Sequence, residues 1–237
     1  MQNWQEDLLC ICEDVPCEKE MFRKVDAAAA AMGFEHCAYG LRLPLPLSNP
    51  ATIMLNNYPR VWQERYASKG YVKLDPTVLH GRQSRAPLIW SDELFADAPE
   101  LWDEAQSYGL RVGWAQSSLD ALGVGGMLTL SRSSGELTAS ELRRNEQRMR
   151  WLVSVAHHAL ARVVNTSGHH RAAPKLTTRE IEVLKWTADG KSAQEVADIL
   201  TLSKNTVDFH VKNAVNKLQT ANKTSAVVRA AILGLLN

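Results

Sequence analysis

Apolar positions along the chain follow two periods, and the places where the period changes mark the elements. Over residues 18–33, Phe22, Val25, Ala29 and Met32 recur at three and four, the stripe of an amphipathic helix that Gly33 ends. "HCAYGLRL" at 36–43, "VGWAQSS" at 112–118 and "GGMLTLSR" at 125–132 alternate instead, which predicts strands, the last entered through the Gly125-Gly126 turn. Between Pro59 and Gly70 the period is helical again, through Tyr58, Val61, Trp62, Arg65, Tyr66 and Lys69, with Pro59 at a first helical position and Gly70 as the left-handed end. Tyr58, Trp62 and Tyr66 then share one face just ahead of Asp75-Pro76, a pair that reads locally as a helix N-cap and its first residue. "TASE" at 138–141 is a capping box opening a long helix with Leu142, Met149, Leu152, Val153, Ala156, Leu160 and Val163 inward. Strands set between helices with hairpin-like connections predict an α/β/α sandwich, an antiparallel sheet with helices on both faces, over residues 1–165.

The pattern changes after a stretch rich in Ser, Gly, Asn and small residues, read as a linker over 166–174. Beyond it, 175–237 carries four cap signals: Thr177 with Glu180, Ser192 with Glu195, Ser203, and Asn222, with Gly190 and Gly234 as stops. Ile181 and Leu184 in the first helix, and Val196, Ile199 and Leu200 in the second, are the expected inward residues. The expectation is an all-α four-helix domain, making the whole chain α+β. Its second and third helices are separated by "TLS", the spacing of a helix-turn-helix. In the third, Val207, His210, Val211, Ala214, Val215 and Leu218 pack inward, turning Lys204, Asn205, Asp208, Phe209, Lys212, Asn213 and Lys217 outward. Lysines, amides and one aromatic on a face suit a DNA groove; a merely solvated face is the plain alternative.

Charge sharpens this division. The chain is nearly neutral at +1, yet residues 174–237 carry nine Lys and Arg against six Asp and Glu. No apolar run reaches the 18 residues of a membrane span, and the acidic N-terminus lacks the basic start of a secretory signal, so a cytoplasmic protein is expected. Cys10, Cys12, Cys17 and Cys37 are too crowded for a disulfide framework and lack the second pair of a zinc site, so no metal or cofactor is expected. His169-His170 reads as solvated linker and His157-His158 as structural. The chain shows no nucleophile–base pair, metal cluster or phosphate loop, since "GVGG" at 123–126 is a turn without a following helix. An enzyme is therefore not expected.

The segment "LTTREIEVLKWTADGKSAQEVADILTLSKNTVDFHVKNAVNKL" resembles the DNA-binding module of LuxR-type regulators at Glu180, Leu184, Gly190, Lys191, Thr206, Val207, His210, Asn213 and Lys217-Leu218. The resemblance adds Thr206 to the DNA-binding set. Asp208 departs from it, because Lys or Asn is commoner there; a carboxylate either accepts from a base amino group or pairs with Lys212 four residues on. Such a module can follow a phosphoreceiver, but the chain does not open with the strand and acidic pair that a receiver needs. "NYPRVWQERY", "LDP", "PLIWSDELF", "LWDEAQSYGLRVG" and "MLTLSR" resemble instead, in order, the autoinducer domain of acyl-homoserine-lactone receptors. That resemblance implies roles by position. Trp90 donates its indole N–H to the lactone carbonyl, Asp75 accepts from the amide N–H, and Tyr58 donates to the amide carbonyl with Thr129 nearby. Trp62, Tyr66 and Trp102 form walls, with Val78, Ala38 and Leu128 as weaker candidates, and Ala115 stands where some relatives place a hydroxyl. It further implies a homodimer on palindromic double-stranded DNA, contact with RNA polymerase and activation of transcription. A different small-molecule signal, or repression, is the alternative.

Overall fold

The computed structural model describes residues 17–120, 124–164 and 174–236, and the chain divides into two compact units, Met1–His169 and His170–Asn237. The linker expected over 166–174 lies, apart from Pro174, outside the described residues, as do Cys10, Cys12 and His169-His170.

The first unit is built on a five-stranded antiparallel sheet. Its strands are β1 (His36–Arg42), β2 (Thr52–Asn56), β3 (Leu88–Ile89), β4 (Val112–Leu119) and β5 (Gly125–Arg132), in the order β2-β1-β5-β4-β3. The three strands expected from alternation are the central ones; β2 and the two-residue β3 are edges that the pattern did not announce. Helices α1 (Glu18–Ala30) and α5 (Ala139–Val164) cover one face. Register decides what they cover. Cys37, Leu130 and Trp114 are cross-strand partners, and with Tyr39, Leu41 and Leu128 they pack against Met21, Phe22, Val25 and Ala29 of α1 and Met149, Leu152, Val153, Ala156 and Leu160 of α5. The Val163 side chain lies outside the described residues. Leu128, a weaker candidate for the ligand wall, therefore belongs to this aliphatic core, on the face opposite Thr129, because successive strand residues point to opposite sides.

Two polar links hold α5 to the sheet. Thr138 Oγ1 accepts from the Glu141 amide at 3.2 Å, while the Glu141 carboxylate takes both terminal nitrogens of Arg132, at 2.7 and 2.9 Å. His157, buried, shares a 2.8 Å hydrogen bond between Nδ1 and the Tyr39 hydroxyl, consistent with a structural role; His158 is exposed.

Across the sheet lie α2 (Arg60–Lys69), α3 (Pro76–Gln83) and α4 (Pro99–Ser107), with the 3₁₀ turn Tyr71–Lys73 between the first two. Helix α3 comes close to the sheet at Gly81, where a Cβ would sit 3.0 Å from Met127 and 3.4 Å from Ser117. The second unit comprises α6 (Thr178–Ala188), α7 (Ala193–Leu200), α8 (Lys204–Lys217) and α9 (Lys223–Ile232), starting at the expected caps Thr177, Ser192, Ser203 and Asn222. Gly190 and Gly234 take the left-handed conformation past the ends of α6 and α9. Leu184, Ala214, Leu218, Ala226 and Ala230 form one buried group and Val183, Val196, Ala197 and Val207 another. Ile199, expected inward, is 44% exposed: the inner stripe of α7 runs through Val196, Ala197 and Leu200 and leaves it on the outer side.

Candidate ligand and DNA-binding sites

Helix α2 starts one residue later than its spacing suggested, since Pro59 is its extended N-cap, and ends at Gly70 with φ 65°. Trp62 is its one buried residue, and half-buried Tyr58 and Tyr66 stand on the same side. All three join one aromatic group with Tyr71, Trp90, Phe95, Trp102 and Tyr108. Ring centroids lie 5.7 Å apart for Trp62 and Tyr66, 5.4 Å for Trp62 and Tyr108, and 6.0 Å for the perpendicular pair Trp90 and Trp102. Phe95 stacks on Trp102 at 4.4 Å. Edge-to-face and stacked pairs are the arrangements ring quadrupoles favour, so the group is a formed surface rather than a loose one. It is braced from outside, where Arg65 of α2 grips both carboxylate oxygens of Glu104 on α4 and Lys69 reaches Glu100 at 2.8 Å.

Five of the seven expected ligand residues, Tyr58, Trp62, Tyr66, Trp90 and Trp102, therefore meet in one place. Asp75 is joined to them through Tyr66. Its Oδ1 accepts from the Thr77 amide at 2.8 Å and the Thr77 hydroxyl at 2.6 Å, the N-cap bond of α3, while Oδ2 accepts from the Tyr66 hydroxyl at 2.8 Å. Burial pushes the Asp75 carboxyl above its usual range, and the hydrogen bonds from Thr77, Tyr66 and the Val78 amide only partly oppose that. Burial likewise raises the Tyr58 and Tyr66 phenols, so both hydroxyls keep their protons and remain donors. Thr129, buried, is the seventh; Ala38 and Ala115 are its direct cross-strand neighbours, so all three share the sheet face toward the aromatic group.

The two indoles differ in one decisive respect. Trp102 donates Nε1 to Asp92 Oδ1 at 2.7 Å. Trp90 Nε1 is buried with no hydrogen-bond partner. A buried N–H left unpaired costs about 1–3 kcal/mol, so its retention needs a reason. Two further residues enter that the sequence reading passed over. Gly113 lies under Trp90: any Cβ there would penetrate the indole. Ser131, cross-strand from Gly113 and beside Tyr58, is fully buried, and its hydroxyl makes no well-formed hydrogen bond. Its signal was available, since it shares a face with Thr129 two positions earlier.

In the second unit the recognition candidates face wholly or partly outward, as predicted, and all but one are without an ion pair among the described residues. Lys204, Asn205, Asp208, Phe209 and Lys212 are exposed on α8, Phe209 to 60%, and Asn213 is half-buried. Thr206 is half-buried, with its hydroxyl 2.8 Å from that of the N-cap Ser203. Lys217 is the exception. Its ammonium is held at 2.8 Å by Glu180, whose carboxylate is nearly buried and also closes the capping box of α6 through the Thr177 amide at 2.7 Å. Burial alone would raise that carboxyl, but Lys217 and Thr177 hold it below the usual range.

Residues 18–160 match the autoinducer binding domain family and residues 174–230 the luxR family of bacterial regulatory proteins. The chain belongs to the LuxR family: it is a transcription regulator, not an enzyme, with a small-molecule-binding domain ahead of a helix-turn-helix. It is 46% identical to the transcriptional activator protein AnoR of Acinetobacter nosocomialis over the full length of both chains. Among solved structures it is similar to Escherichia coli SdiA, with a TM-score of 0.86 at 30% identity over 99% of this chain and 98% of that one. SdiA in complex with octanoyl-rac-glycerol gives 0.84 at 31% identity, over 99% and 95%. CepR2 of Burkholderia cenocepacia, described as an N-acylhomoserine lactone dependent LuxR family transcription factor, gives 0.63 at 33% identity over 68% of this chain and 95% of that one. Among the described residues no helix is long and apolar enough to cross a membrane.

Proposed function

We propose that the protein is a cytoplasmic quorum-sensing receptor that binds an N-acyl homoserine lactone in its first unit and activates transcription through its second. The observation that carries this reading is the unpaired indole N–H of Trp90 inside an aromatic group joined, through the Tyr66 hydroxyl, to the half-buried carboxylate of Asp75. An acyl homoserine lactone offers two carbonyls, one amide N–H and an apolar chain. Trp90 Nε1 serves the lactone carbonyl, Asp75 accepts from the amide, and Tyr58, with Thr129 near it, serves the amide carbonyl. Trp62, Tyr66 and Trp102 line the ring and the start of the chain. Each donor then meets an acceptor, which is what burial of a polar head requires.

Binding to the folded state alone adds RT ln(1 + [L]/Kd), about 3–4 kcal/mol at a hundred- to thousandfold excess over Kd. That gain favours a homodimer, whose two α8 helices enter successive major grooves of a palindromic operator through Lys204, Asn205, Thr206, Asp208, Phe209, Lys212 and Asn213, and present the complex to RNA polymerase. Lys217 is left to brace the bundle. The SdiA complex with octanoyl-rac-glycerol supports a second reading, in which the same group of residues answers an acyl ester without a lactone.

The deciding measurement is thermal melting of the purified protein against N-acyl homoserine lactones of different length and 3-substitution, with octanoyl-rac-glycerol alongside. A rise with the lactones carries the first reading and a rise with the glycerol ester alone the second. No rise with either removes both.

A further inference from the structure

We infer that Asp208 is a base-reading residue and that it selects cytosine in the major groove. The inference rests on α8 being the element that enters the groove. Asp208 is the one carboxylate on α8, at its fifth residue, and is exposed. Lys204 and Lys212, four residues to either side, are both placed to pair with it, yet neither does, and among the described residues no other hydrogen bond or ion pair engages its oxygens. The helix does not use this charge for itself, because its cap is Ser203 and its far end is tied down by Lys217 and Glu180.

An unpaired carboxylate carried into a groove walled by phosphates is repelled unless a base edge offers it a hydrogen. Guanine shows only acceptors there, and thymine an acceptor and a methyl group, so both are disfavoured. Cytosine N4 and adenine N6 are the two donors. Adenine N6 lies between two acceptors, its own N7 and the O4 of the paired thymine, and the second oxygen of a carboxylate meets one of them. Cytosine N4 has an acceptor on one side only, the O6 of the paired guanine; on the other is a C–H. The carboxylate fits there. Phe209, the next residue and 60% exposed, presents an apolar ring beside it that suits a thymine methyl. Lys204 and Lys212 then stand free to hold phosphates on either side of the read base.

The test is selection from duplexes randomised over two half-sites, using full-length protein with N-octanoyl homoserine lactone present throughout, followed by affinities on the selected sequences. Wild type is expected to enrich cytosine at one position in each half-site, by about fivefold over the next base. Asp208→Asn is expected to move that position to adenine, since an amide both donates and accepts and so matches N7 and N6 together. Asp208→Ala is expected to flatten it, leaving neighbouring positions alone. Identical base profiles for wild type, Asp208→Asn and Asp208→Ala would overturn the inference, as would enrichment of guanine or thymine at the position that responds. Lys212→Ala separates this from the underlying reading: a uniform loss of affinity keeps α8 in the groove even if Asp208 proves silent. No loss with Lys212→Ala or Phe209→Ala takes α8 out of the groove and the inference with it.

Discussion

At Asp75 the two carboxylate oxygens have separate partners, Thr77 on the helix side and Tyr66 on the aromatic side, and this separates two effects of one substitution. Asn caps a helix about as well as Asp, so Asp75→Asn is expected to leave the melting temperature of the unliganded protein within about 3 °C. The ligand amide loses a charged acceptor, and affinity for a stabilising lactone is expected to fall tenfold or more by calorimetry. The pH dependence follows from the raised carboxyl. Between the usual 3.8 and its higher folded value the native protein binds more protons than the unfolded chain, so stability falls as pH rises through that window, and at neutral pH the ionised group is a net cost to the empty fold. In the proposed complex a ligand N–H would offset that cost by binding the ionised form. Lactone affinity is therefore expected to decrease as pH is lowered through the folded pKa of Asp75, and Asp75→Asn to abolish that decrease. A wild-type affinity flat from neutral pH to the unfolding limit would remove Asp75 from the ligand.

Among the elements, β4 and α8 are held in position by residues whose roles come from packing. A Cβ on Gly113 intrudes on Trp90, whereas one on Gly40, in β1 of the same sheet, meets nothing within 4 Å. Gly113→Ala is expected to weaken lactone binding about tenfold or more by displacing the indole, and Gly40→Ala to leave it unchanged. Equal effects would mean that Trp90 does not act on the ligand. On α8, Lys217→Ala is expected to lower the melting temperature of the second unit by stranding the Glu180 carboxylate, while Lys212→Ala leaves melting alone and reduces the salt slope of DNA binding by about one. The Glu180 carboxyl is depressed in the fold, so its stabilisation is full above its unfolded value of 4.5 and is lost as pH falls through the folded one. These elements also mark what could be read in advance. The four caps of the second unit are chemistry between residues three apart, and each was legible. The strand β2 was not, because "TIMLN" is short and its pairing with β1 is set by the sheet rather than by its own pattern. Leu128, suggested for the ligand wall by the family resemblance, falls on the opposite face from Thr129, as strand alternation requires of neighbouring residues.

For the molecule as a whole, the first unit has two separate cores, one aliphatic beneath α1 and α5 and one aromatic beneath α2 to α4. The aromatic residues of the second were visible in the sequence in order, but their convergence, and the contrast between the satisfied indole of Trp102 and the unsatisfied one of Trp90, exist only in three dimensions. The first core is mostly aliphatic, and its Tyr39 hydroxyl is already paired with His157. The aromatic one holds an orphaned donor and, through Tyr66, a raised carboxyl, both of which the proposed ligand would relieve. Amide hydrogen–deuterium exchange should register that inequality: the backbone of α1, α5 and the central strands protected whether or not the signal is present, and that of α2 to α4 slowed only on its addition. The regulator would then be a half-set scaffold whose remaining half condenses around the compound it reports, so that its lifetime against cellular proteases becomes a measure of how much of that compound surrounds it.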